Sequence, residues 1–179
     1  MGPVPLGDVR ARLNILPLLL GRARLSLSRD TPDGRFDGAV SVSRHSFGVE
    51  DMTGRFRTGT LFAPVPISAL DLEDVSVHFE NGQCESAEGR VRATAAGELA
   101  GIPVPAALAG DARCAEGALL LPLASQSGFG QLNLSLRADG GYRLDLVVRQ
   151  ADPTLVPRLG AAGFQPSTDG YTRRIEGHF

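Results

Sequence analysis

QLNLSLRADGGYRLDLVV, residues Gln131–Val148, decides the fold. Leu132, Leu134 and Leu136 alternate with Asn133, Ser135 and Arg137. Beyond Asp139-Gly140-Gly141, Tyr142, Leu144, Leu146 and Val148 alternate with Arg143, Asp145, Val147 and Arg149. A period of two sends one set of side chains to each face of a strand, and an Asp-Gly signal between two such runs turns the chain back on itself. The stretch therefore predicts a hairpin with one dry face.

Towards the C-terminus, Asp152-Pro153 reads as a helix cap followed by proline at the first helical position. Leu155, Leu159 and Ala162 would point inward from that helix, Gly163 would end it, and Pro157 keeps it short. A turn at Asp169-Gly170 opens a last strand, with Tyr171, Arg173, Ile175, Gly177 and Phe179 on one face.

Towards the N-terminus, GIPVPAALA (Gly101–Ala109) carries two prolines, which cannot donate to a ladder, so it reads as an edge strand or covering loop. It also lacks charge in a chain that elsewhere guards its strands with Arg, Asp and Glu. Ile102, Val104 and Leu108 are therefore the candidate partner edge. The alanine- and glycine-rich run Ser86–Ala96 and the alternating Val75, Val77 and Phe79 of Leu72–Phe79 both read as strands, with His78 on a solvated face. Thr60–Leu70 holds Pro64 and Pro66 and reads as a connection with one helical turn near Ile67–Leu70. Further strands are expected at Gly48–Thr58, at Phe36–Val42 with Phe36, Gly38, Val40 and Val42 on one face, and at Ala23–Ser28. The fold class is all-β: one domain over residues 1–179, a curved antiparallel meander forming an open half-barrel or taco-like roll, with one short helix near the C-terminus.

The two cysteines, Cys84 and Cys114, each follow a turn signal and lead into a strand-like run. They are either joined or two buried thiols. A bridge would close a loop of roughly 30 residues and stabilise the fold by about 3.5 kcal/mol through chain entropy. Composition agrees with a turn-rich β protein: 22 glycines, 12 prolines and no tryptophan. All 18 basic residues are arginine, and a net charge of −2 argues against nucleic acid as a partner. Ile15–Leu20 is too short, and too interrupted by Pro17, to span a bilayer or serve as a signal peptide.

Chemistry is missing from the residues. There is no GxSxG, P-loop, GxGxxG or CxxC, and His45, His78 and His178 lack ligand spacing, so no catalytic, cofactor or metal site is expected. Asp71, Glu73 and Asp74 read as a solvated strand edge, and Ser125-Gln126-Ser127-Gly128 as a loop.

In order and spacing, LNILPLLLGRARLSLS, VSVHFENGQCESAEGRVRA, GDARCAEGALLLPL, LNLSLRADGGYRLDLVVR and LGAAGFQPSTDGYTRRIEGHF resemble the periplasmic part of the type II secretion system protein N family. The resemblance runs from about Asn14 to Phe179. It implies a bitopic inner-membrane protein with its bulk in the periplasm, a non-enzymatic accessory in moving folded exoproteins across the outer membrane. The implied partners are other proteins of the apparatus, the secretin and the inner-membrane platform among them. The family's membrane-spanning segment, expected before Asn14, is missing here, so membrane contact is expected only through an anchor outside this chain. A periplasmic location also favours the Cys84–Cys114 bridge, because that compartment oxidises thiols. A second reading is a periplasmic carrier of lipid or another hydrophobic ligand, held on a concave face of leucines and alanines.

Overall fold

A computed structural model describes residues 10–14, 21–31, 34–58, 67–99, 102–103, 106–128, 130–149 and 154–178. Fifteen strands follow in chain order: β1 (Arg10–Asn14), β2 (Ala23–Thr31), β3 (Gly34–Val42), β4 (Ser46–Arg57), β5 (Ile67–Glu80), β6 (Gln83–Ala95), β7 (Glu98–Leu99), β8 (Ile102–Pro103), β9 (Ala107–Asp111), β10 (Arg113–Ala115), β11 (Ala118–Ala124), β12 (Gly130–Leu136), β13 (Gly141–Val148), β14 (Gln165–Ser167) and β15 (Gly170–His178). The helix α1 (Val156–Ala161) precedes β14. Thirteen strands form one open antiparallel sheet, ordered β1-β2-β3-β4-β5-β6-β9-β11-β12-β13-β15-β14, with β10 paired to β11. The β7–β8 pair is a separate two-stranded sheet.

The predicted hairpin is present with the register its pattern requires. Leu132 faces Leu146, Leu134 faces Leu144 and Leu136 faces Tyr142. Arg137 and Gly141 close a three-residue loop, and the Gly141 N–H donates to the Asp139 carboxylate at 2.8 Å. The dry face extends sideways, as Leu121 faces Leu134 and Ile175 faces Leu144. All of these side chains belong to a single core, which runs from Phe36 to Phe164.

Several register shifts interrupt the meander, and two of them are interlocked bulges. β4 holds an extra residue at Asp51 and β5 one at Asp74, both with positive φ, which aspartate tolerates better than most residues. The Thr53 hydroxyl donates to the Asp74 carboxylate at 2.9 Å and accepts from the Asp74 N–H, while the Asp51 N–H donates to the Ser76 hydroxyl. Each bulge returns the apolar residues to the inner face after the extra position, so Met52 and Val75 are buried beside Val49 and Val77. Bulges also strengthen local twist, which suits a sheet that wraps around its own core.

Three expectations need correction. Ile67–Leu70 is the start of β5 and not a helical turn, because Ile67 and Ala69 pair with Ala95 and Thr94 and are buried there. Tertiary pairing overrides the local signal of the preceding prolines. Ala107–Asp111 is an interior strand between β6 and β11, with Leu108 only 3% exposed; prolines 103 and 105 fall outside it and leave its ladder intact. Asp71 and Glu73 lie on interior β5, where they pair with Arg55 at 3.3 Å and Arg92 at 3.1 Å; they do not line an edge.

The helix is short, as Pro157 implied. Its N-cap is Leu155, while Asp152-Pro153 lie outside the described residues. At its end the Phe164 N–H donates to the Leu159 carbonyl and the Gly163 N–H to Gly160, with Gly163 at φ +80°. This Schellman ending places Leu159 (0% exposed) and Phe164 (5%) together in the core.

Candidate interaction surfaces

Cys84 and Cys114 are joined, with their Cα atoms 5.5 Å apart. The bond stands where the ladder fails. β9 pairs with β6, but after Ala112 the chain continues as β10, which among the described residues pairs only with β11. The disulfide and the Cys84 N–H donating to the Gly117 carbonyl at 2.8 Å tie the β10–β11 turn back to β6.

The outer face is polar and satisfied. Arg143 meets Glu176 at 2.8 Å, Arg174 meets Asp145 at 2.7 Å and Arg90 meets Asp111 at 3.0 Å, each pair spanning adjacent strands. Their carboxylate partners raise the pKa of Arg174 and Arg90 above the ordinary arginine value. These exposed pairs fix side-chain positions more than they add stability. A depression of about 370 Å³ at one end of this face is lined by Glu116, Ser135, Arg137, Arg143 and Glu176; of its charges, Arg143 is engaged with Glu176 and Arg137 with Asp139. Ser125 is buried, and its hydroxyl accepts the Gly130 N–H at 3.1 Å, so it holds a turn. Among the described residues no group of His, Cys, Asp or Glu could hold a metal ion.

The inner face is dry over β5–β13 and opens towards β1. Leu13, Leu25, Val40, Val49 and Val77 are successive cross-strand partners, as are Ala23, Val42, Phe47 and Phe79. Along the two rows exposure rises from 6% at Val77 to 53% at Leu13, and from 7% at Phe79 to 40% at Phe47 and 50% at Val42.

Two edges remain on the main sheet. Among the described residues β1 pairs only with β2 and is exposed throughout. On the other side β14 pairs with β15 only at Gly170, Tyr171 and Thr172, so from Arg173 onward the outer side of β15 has no partner strand among the described residues.

The sequence profile of the type II secretion system (T2SS) protein N family matches residues 1–174. The chain belongs to that family. The T2SS protein N assignment gives it a role in type II secretion and makes it a component of that apparatus. No curated protein and no solved structure matches it. Among the described residues no helix is long and apolar enough to cross a membrane.

Of the candidate partner-edge residues, the structure separates what the sequence grouped. Leu108 serves the core, Ile102 belongs to the β7–β8 pair, and Val104 lies outside the described residues. The edge of β15 escaped sequence reading, because it exists only once β14 is seen to stop at Gln165.

Proposed function

We propose that this T2SS protein N is a non-enzymatic component that binds other proteins of the apparatus, the secretin and inner-membrane platform proteins among them, and so supports export of folded exoproteins across the outer membrane. It works in the periplasm, held at the inner membrane. Family membership carries this reading, and two features favour binding over chemistry. The outer face commits charged groups to ion pairs across the ladder, Arg143 with Glu176 and Arg174 with Asp145. The sheet is open, and an unpaired edge recruits an extended segment through main-chain hydrogen bonds. The β7–β8 pair, standing apart from the main sheet with Ile102 in it and Val104 just beyond, is the proposed contact region. Pull-down of the wild type with the secretin and platform proteins tests the partners. Val104→Asp should melt as the wild type does and yet lose secretion; unchanged secretion would remove this region from the proposal.

A second reading, a hydrophobic-ligand carrier, is favoured by the exposed Leu13, Val42 and Phe47 at the open end of the dry face. Native mass spectrometry of gently purified protein would reveal a bound lipid, and its absence would count against this reading.

A further inference from the structure

The free part of β15 is complementary to itself. Its unpaired outer side begins at Arg173, and Arg173-Arg174-Ile175-Glu176-Gly177 is centred on Ile175. An antiparallel pairing of this stretch with its own copy places Ile175 opposite Ile175, Arg174 opposite Glu176 and Arg173 opposite Gly177. Each of these pairs joins residues of the same face, which antiparallel pairing demands.

Both faces then match. On the outer face, Arg143 lies opposite Glu176 and Asp145 opposite Arg174 within one chain. Joining two copies extends these pairs into a ladder of alternating sign: Arg143 and Glu176 of one copy, then Arg174 and Asp145 of the other. On the inner face, Leu144 and Ile175 of one copy meet Ile175 and Leu144 of the other in an apolar row. The Arg173 side chain makes no hydrogen bond or ion pair among the described residues, and is the one half-buried arginine side chain of which that is true. Its cross-strand neighbour is the buried Leu146. The pairing sets it over Gly177 of the second copy, where the Tyr142 ring already stands 2.5 Å from the place a Cβ would take. A larger residue at 177 would displace that ring, whereas glycine lets Tyr142 keep its place, where an incoming guanidinium can reach it in a favourable cation–π contact.

The guards on this edge are charges, Arg173, Arg174 and Glu176, and the two-fold pairing turns the latter two from a guard into a match by setting them opposite each other. It has no proline and no bulge, and its register against β13 is unbroken from Gly141 to Val148. The pairing ends by itself, because one residue further His178 would reach Thr172, which Gln165 of β14 already occupies.

We propose that this chain forms a two-fold dimer through Arg173–Gly177 of β15, joining two sheets into one. A two-fold contact of this kind closes on itself and does not propagate into fibres. Its short length places it among weak interfaces, so the dimer should appear as concentration rises.

Charge reversal tests both partner and register. Wild type should change from monomer to dimer by sedimentation between roughly 10 µM and 1 mM. Arg174→Glu and Glu176→Arg, each confirmed folded by thermal melting, should each weaken self-association at least about tenfold, since each sets like charges opposite one another. Mixing the two variants should restore a dimer, now a heterodimer, because each opposing pair regains opposite signs. Ile175→Cys, on the two-fold axis, should form a covalent dimer on mild oxidation, while Leu13→Cys on the β1 edge should not. Wild type monomeric at every concentration, no rescue on mixing, or equal cross-linking at both cysteines would overturn the proposal.

Discussion

Leu134→Ala is the sharpest test of the two-faced sheet. Leu134 is 6% exposed on β12 and is flanked across the ladder by Leu121 and Leu144. Truncation to alanine removes about three carbons, worth about 2.4 kcal/mol at roughly 0.8 kcal/mol per buried methylene. Both flanking strands are held in continuous ladders, so the void cannot collapse and a cavity term adds to the loss. The sum is about 3–4 kcal/mol. A chain of 179 residues loses about 2–4 °C of melting temperature per kcal/mol, so the midpoint should fall by about 10 °C. Ser135, the next residue, points to the polar face, and Ser135→Ala should cost no more than about 0.5 kcal/mol. Circular-dichroism melts and urea midpoints at constant m-value measure both variants on one scale. Equal losses at 134 and 135, or none at 134, would refute the alternation from which the fold was argued.

Other perturbations probe separate features. Native protein should show no free thiol by Ellman titration, and reduction of Cys84–Cys114 should lower stability by about 3.5 kcal/mol; two titratable thiols in the exported protein would contradict this. Gly163→Ala forces a Cβ into φ +80° at the end of α1 and should cost about 1–2 kcal/mol by chemical denaturation. Asp139 has its pKa lowered below the ordinary 3.8, chiefly by the hydrogen bond from the Gly141 N–H. A lowered carboxylate contributes stability above its unfolded pKa and loses it as pH falls through the folded value. An NMR titration should therefore place Asp139 below 3.8, and Asp139→Ala should flatten the acid limb of the stability profile.

What could be read in advance follows from how local each signal is. The hairpin Gln131–Val148 was legible because alternation and the Asp-Gly turn act within a few residues. The face shared by Phe36, Gly38, Val40 and Val42 was legible for the same reason, since β3 carries no extra residue of its own. The bulges at Asp51 and Asp74 were hidden, because each exists only against the neighbouring strand it interlocks with. The interior position of Ala107–Asp111 depends on β6 and β11, which lie on either side of it in space, and its own prolines spoke against a ladder. The cysteine pairing stood between two readings until the end of β9 showed a gap in the ladder that the covalent tie spans, with the Cys84 N–H bond to the Gly117 carbonyl beside it. The open edge at Arg173 likewise depends on where β14 stops.

The strand order bears on how the chain acquires its structure. From β1 to β6 each strand lies beside its sequence neighbour, and so do β11, β12 and β13. Such pairings close only short loops, so two blocks can form early and independently, at speeds closer to local-contact proteins than to interleaved β-sandwiches. The step that must wait is the joining of the blocks through β9, across the segment that the two cysteines bracket with a separation of 30 residues. Oxidation before that step would trap the blocks at short range and speed their docking; in reducing conditions the docking phase should become the slow, separately resolved event in refolding.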